Sequence, residues 1–245
     1  IESTPVVESS TPQVESTTPT PQVESSTVVT VRNFDLDPII NGKRSTCSVI
    51  IGGRCCGKTS VAKKIILSDK FSQIHIIQNP NDNEDSAMMN DTRISYYEKY
   101  DEKILTDVIH SQRRMPNDDR KHAMILIEDS SQLSEKRMEQ YDSLKYIFIN
   151  GSFLKISLVW VMQYPMSIPY MLRCNLDYAF IFRRATNAFT EKTYRMYVNV
   201  FPNDALYKAV IAEVTQNYGC LVIDYQRKSN KLEDKIFWYN SRITQ

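Results

Sequence analysis

The chain lacks a cysteine framework. Its five cysteines in 245 residues include an adjacent pair, Cys55 and Cys56, and form neither spaced partners nor a C-x-x-C metal pattern. That excludes a disulfide-stapled fold and a zinc ribbon, and it points to reduced thiols in a reducing compartment. Histidine is scarce, and His75, His110 and His122 stand at no ligand spacing to each other or to the cysteines, so no metal is assigned to them. No uninterrupted apolar run reaches the length of a membrane span. The most apolar region, Ile156 to Leu172, is cut by Gln163, Pro165 and Pro169, so a soluble protein with no transmembrane segment is expected. Residues 1 to 30 contain four acids and no Lys or Arg, leaving the rest of the chain at net +5. Such mild basicity gives weak support to a nucleic-acid partner and excludes a polycationic coat. No signal peptide is visible and the chain opens on Ile rather than Met, so the natural N-terminus is expected upstream.

What is present divides at about residue 30. The head repeats TPVVESS from Thr4, TPQVEST from Thr11 and TPQVESS from Thr20. Sequence rich in Thr, Pro, Ser and Glu has too little apolar surface to offset its ordering entropy, so residues 1–30 are expected to be a disordered tether. The remainder, 31–245, is long enough for one substantial core and suits a single α/β domain.

Alternation in Thr27 to Arg32 suggests an edge strand. Buried strands are expected at Cys47 to Ile51, Ile74 to Ile77, Ala123 to Ile127, Ile156 to Met162 and Tyr178 to Phe182, with a terminal pair at Cys220 to Tyr225 and Lys235 to Tyr239. Helical spacing marks Ser60 to Leu67, Tyr100 to Arg113 and Ser134 to Ile149; Asn79 to Thr92 reads as a polar loop. Tyr96, Tyr97, Tyr100, Tyr194 and Tyr197 read as packing residues rather than platforms for bases. Strands separated by helices imply a mostly parallel sheet with helices on both faces.

The organising motif is Gly52-Gly53-Arg54-Cys55-Cys56-Gly57-Lys58-Thr59, followed by Ser60, between the first buried strand and its helix. It matches G-x-x-x-x-G-K-[ST] in the required strand-to-helix context. Glycines let successive N–H groups turn inward as an anion nest at the positive end of the helix. Lys58 is placed to reach the β- and γ-phosphates of ATP, and the Thr59 hydroxyl to hold Mg²⁺. The alternative is a glycine turn with an accidental lysine.

An NTPase also needs an acid to share the metal and one to polarise water. The strand Ala123 to Ile127 delivers Glu128 and Asp129 to its carboxyl end, where open α/β sheets bind ligands. In the preferred register Glu128 takes the metal and Asp129 polarises water; in the other Asp129 takes the metal and Ser130 follows. Gln163, directly after ISLVWVM, reads either as a sensor of the γ-phosphate or as a loop residue satisfying backbone groups. Arg173 and the pair Arg183-Arg184 are candidates to face a neighbouring subunit's phosphate or DNA, against a plain reading as solvated arginines.

Together GGRCCGKT, ILIEDS, Phe148-Ile149-Asn150-Gly151, VMQYPMSIPYMLRCNLDYAFIFRR and YGCLVIDYQRKSNKLEDKIFWY resemble the genome-packaging ATPases of nucleocytoplasmic large DNA viruses, the poxvirus-type branch of the FtsK-HerA superfamily of P-loop NTPases. The resemblance covers about residues 31 to 242. It implies a RecA-like core and a homo-oligomeric ring around double-stranded DNA, gripped without sequence preference. It further implies DNA translocation into a preformed capsid, with a capsid or membrane-associated assembly component as partner, in the virion and at the assembly site in the host-cell cytoplasm. By residue it assigns Lys58 and Thr59 to phosphate and Mg²⁺, Glu128 and Asp129 to the second acidic motif, and Gln163 to the sensor. The chain departs from the pattern at Ser152-Phe153, where such proteins tend to carry Arg-His, and in the Glu-Asp order. Either Arg173 or Arg183-Arg184 replaces the missing arginine finger, or the chain is a weakened paralogue that binds nucleotide as a scaffold or regulatory subunit. A cellular P-loop kinase fits least, since no lid motif is recognisable.

Overall fold

A computed structural model describes residues 29–78, 88, 90–128, 140–165, 168–184 and 186–242. The repeat head to residue 28, most of the polar loop, Asp129, Ser130 and the start of the helix expected from Ser134 lie outside the described residues.

Elements follow the hydrophobic pattern closely. In chain order they are β1 (Arg32–Asn33), α1 (Asp37–Ile40), β2 (Cys47–Ile51), α2 (Lys58–Ile66), β3 (Phe71–Ile77), β4 (Ile94–Tyr97), α3 (Glu102–Arg114), β5 (His122–Glu128) and α4 (Asp142–Asn150). They continue with β6 (Ile156–Met162), α5 (Tyr170–Arg173), β7 (Tyr178–Phe182), α6 (Asn187–Tyr197), α7 (Asp204–Val214), β8 (Gly219–Asp224) and β9 (Ile236–Asn240). Side-chain caps start two helices: Asp101 accepts from the Lys103 N–H on α3, and Asn203 from the Leu206 N–H on α7, both at 2.8 Å. Each such cap stabilises its helix by about 1 kcal/mol.

Among the described residues nine strands form one sheet in the order β1-β9-β8-β7-β2-β6-β5-β3-β4. Neighbours pair in parallel except β7 with β8 and β8 with β9, so β8 alone runs against the rest. Of the edge strand expected over Thr27 to Arg32, the described residues form only Arg32–Asn33, and β4, a strand not expected, which carries the packing residues Tyr96 and Tyr97, forms the opposite edge.

Strand periodicity sends alternate side chains to two cores. Val49 and Ile51 of β2, Ile125 and Ile127 of β5, and Leu158, Trp160 and Met162 of β6 face the core with α3, α4, α6 and α7. Ile50, Met124, Leu126, Val159, Val161, Phe180 and Phe182 face α2 through Val61, Ala62, Ile65 and Ile66. Phe34 closes this second layer by meeting Tyr178, Phe180 and Phe237 edge-on at centroid distances of 5.5–5.7 Å. No helix among the described residues is long and apolar enough to cross a membrane.

Candidate nucleotide site

Three parallel strands end side by side at one edge of the sheet. Ile51 is level with Met162 and Glu128 with Val161, so Gly52, Gln163 and Glu128 emerge together. The parity that points Met124 and Leu126 toward α2 continues to Glu128. Because β6 lies between β2 and β5, the acid reaches the P-loop across a whole strand. The Thr59 hydroxyl donates to the Glu128 Oε1 at 3.5 Å.

The loop folds as its glycines require. Gly57 caps α2 at φ 109°, a left-handed conformation that side chains disfavour, and Cys55 holds φ 56°. A Cβ on Gly57 would stand 2.2 Å from Ser241 Oγ and 3.2 Å from the Phe182 ring, and one on Gly52 would stand 2.5 Å from Phe182 Cβ. Gly53 has room, its nearest neighbour being Arg184 Cγ at 3.8 Å. Phe182 is therefore the floor of the loop and Ser241 its side wall.

Lys58 is buried, and its ammonium donates to the Gly53 carbonyl at 2.5 Å. The Cys56 thiol donates to the same carbonyl at 3.1 Å, and burial pushes that thiol up despite the opposing pull of Lys58. Arg54 and Cys55 are exposed at the loop tip, and Thr59 and Ser60 are exposed on the first turn of α2.

Two oxygens in adjacent positions on an octahedral Mg²⁺, with bonds of about 2.0–2.1 Å, stand about 2.9 Å apart. The Thr59 and Glu128 oxygens fit that requirement with a closure of roughly half an ångström, and both are the hard donors this ion selects. Among the described residues no cluster of three or more His, Cys, Asp or Glu forms a separate metal site.

The other sequence candidates separate. Gln163 sits at the site edge with an exposed side chain, and its carbonyl accepts from Arg184 Nη1 at 3.1 Å. Arg184 thus lies beside this chain's own P-loop, stacked over Tyr164, whose hydroxyl accepts from Lys192 at 3.1 Å. Arg173 is not brought there. Its guanidinium donates to the Ile168 carbonyl at 2.8 Å and lies over the rings of Tyr170 and Tyr197. Ser152 lies in the turn before β6, at the sheet edge opposite the P-loop, in a cavity shared with Ser45, Thr46 and Asp177. Asp129 is outside the described residues. Sequence reasoning missed Phe182 and Ser241, because nothing local in their neighbourhoods signals a contact with glycines more than a hundred positions away.

No protein-family model matches the chain. In sequence it is 31% identical over 118 residues to the uncharacterized protein L437 of Acanthamoeba polyphaga mimivirus, a match spanning 48% of this chain and 42% of that one. It is 30% identical over 118 residues to the uncharacterized protein 015R of Frog virus 3 (isolate Goorha), spanning 48% and 36%. The chain therefore matches less than half the length of these relatives. In structure it is similar to the genome packaging NTPase B204 from Sulfolobus turreted icosahedral virus 2 in complex with AMPPCP, with TM-score 0.61 and 10% identity over 82% of this chain and 99% of that one. EssC (ATPases 2 and 3) from Geobacillus thermodenitrificans matches with TM-score 0.54 and 11% identity, over 74% of this chain and 38% of that one. The nine-stranded sheet and its P-loop edge are thus the P-loop ATPase fold found in B204, carried on a chain whose sequence relatives are proteins of large DNA viruses.

Proposed function

We propose that this chain is the ATPase subunit of a viral genome-packaging motor, hydrolysing Mg²⁺-ATP to move double-stranded DNA into a capsid. The observation that carries the reading is the 3.5 Å approach of Thr59 to Glu128 across an intervening strand, beside Lys58. A glycine turn with an accidental lysine has no reason to meet an acid there.

In this reading the loop N–H groups and Lys58 bind the β- and γ-phosphates, the ammonium exchanging the Gly53 carbonyl for phosphate oxygen. Thr59 and Glu128 would hold Mg²⁺, which when bound offsets charge on the phosphate oxygens. Asp129 polarises the attacking water, and Gln163 orients it from the strand between. DNA is gripped through phosphates, so binding is salt-sensitive and sequence-tolerant; Arg183, Arg184 and Lys192 lie at this edge. Subunits form a ring, and an arginine acting on a neighbour's nucleotide comes from Arg183-Arg184 rather than from Arg173, which is committed to Ile168, Tyr170 and Tyr197. Action at the capsid assembly site in the host cytoplasm follows from this role.

The test is steady-state ATP hydrolysis by the full chain with and without double-stranded DNA, beside Lys58→Ala and Glu128→Gln. DNA-stimulated turnover abolished by both substitutions is expected. Tight Mg²⁺-ATP binding with no turnover at any DNA or protein concentration would replace the motor by a nucleotide-binding scaffold, the reading that Ser152 in place of arginine favours.

A further inference from the structure

The phosphate end of the site has a direction. Thr59 and Glu128 would hold the metal, and with it the γ-phosphate, on the β6–β5 side of the P-loop. The nucleoside would then leave on the other side, past Gly57, where β7, β8 and β9 reach the same edge.

An unusual surface stands there. Asn217 and Tyr218, just before β8, both hold left-handed backbone, at φ 48° and 66°. Neither is glycine, and for a residue as bulky as tyrosine that conformation is an outlier needing a reason. The turn is braced from β9: the Asn240 side chain donates to the Asn217 carbonyl at 3.0 Å, and the Ser241 N–H and hydroxyl each donate to the Tyr218 carbonyl at 3.2 Å. Ser241 is also the residue that abuts Gly57. The brace thus fixes Tyr218 relative to the P-loop, yet leaves the residue 36% exposed. Over that ring lies the Arg242 guanidinium, 3.3 Å from the centroid and itself exposed, held by its N–H donating to the Asn240 side-chain oxygen at 2.9 Å.

We infer that Tyr218 and Arg242 form the platform on which the base of the bound nucleoside triphosphate stacks. The inference rests on the nucleotide-site reading above. A planar guanidinium backed by a phenol ring presents the kind of flat, polarisable face on which bases stack, and the positive charge favours the electron-rich face of a purine. Stacking selects for a ring rather than for an edge, because every base has a π-face. The platform therefore accepts ATP and GTP alike.

Isothermal titration of the full chain with Mg²⁺ and adenylyl imidodiphosphate, and separately with Mg²⁺ and inorganic tripolyphosphate, tests this. Arg242→Ala and Tyr218→Ala are each expected to weaken the nucleotide analogue by about 5- to 150-fold, the range of base–aromatic stacking, and tripolyphosphate by less than about twofold. Tyr218→Phe keeps the ring and retains affinity. The guanosine analogue is expected to lose affinity in parallel with the adenosine one. Equal weakening of nucleotide and tripolyphosphate by Arg242→Ala makes the pair a buttress of the P-loop and overturns the platform, as does unchanged nucleotide affinity. A wild-type chain that binds neither ligand overturns the nucleotide site itself and the platform with it.

Discussion

Replacing Gly57 by alanine loads two separable costs onto the P-loop. The backbone is at φ 109°, where a non-glycine residue costs about 1–3 kcal/mol. The new methyl would also stand 2.2 Å from Ser241 Oγ, and forcing a packed wall to retreat costs typically ~1–3 kcal/mol. Together Gly57→Ala should lower unfolding stability by about 2–6 kcal/mol. Ser241→Ala in the same chain removes the 2.2 Å contact, leaving 3.1 Å to Ser241 Cβ and 3.2 Å to the Phe182 ring. The two substitutions should therefore couple by about 1–2 kcal/mol in a double-mutant cycle, with the remainder of the Gly57→Ala loss surviving as backbone strain. Gly53→Ala is the control, since its methyl meets nothing nearer than 3.8 Å. Urea unfolding of the four chains gives the cycle directly. Additive losses, or a Gly53→Ala loss as large as that of Gly57→Ala, would refute the account of how this loop is walled.

Phe182→Ala removes a fully buried ring from beneath Gly52 and Gly57; it should cost about 3–5 kcal/mol in urea unfolding, and a loss below about 1 kcal/mol would show that the loop does not rest on it. Burial lowers the Lys70 ammonium to about 8 from an ordinary 10.5. Between those values the unfolded chain holds a proton the fold has released, so stability rises with pH through that window, and the rise should be smaller in Lys70→Met. Equal slopes in the two proteins would remove Lys70 as the source. Native N-ethylmaleimide labelling read by mass spectrometry should find Cys55 and Cys174, which are exposed, before Cys56. Cys47 and Cys220, whose thiols burial pushes far up, should react only after denaturation; native labelling of either would contradict the packing of β2 or β8.

The parts of the fold legible in the sequence are those with a local cause. β6 and β7 match their expected bounds because continuous apolar runs between turn signals have one good solution in a covered sheet. The P-loop and the acidic strand end were legible for the same reason, as patterns within a dozen residues. β4 was missed because its edge position leaves ISYY half exposed, so no buried run announces it. Strand order was hidden as well, and with it the fact that Glu128 meets Thr59 across β6 rather than from an adjacent strand. Hidden too was the place of Arg184 beside Gly53 of the same chain, a proximity set by the pairing of β7 with β2 rather than by anything near Arg184 in sequence.

The single reversed strand has a practical corollary. With β8 antiparallel and β1 pairing in parallel to β9, Arg32 enters the sheet at the edge remote from Lys58, whereas Arg242 leaves it next to Gly57. A fluorophore carried on a cysteine at position 32 would report from the back of the sheet, far from the loop edge. The same label at position 242 would report from beside the P-loop, so the two positions make a built-in control for any single-molecule measurement on this chain.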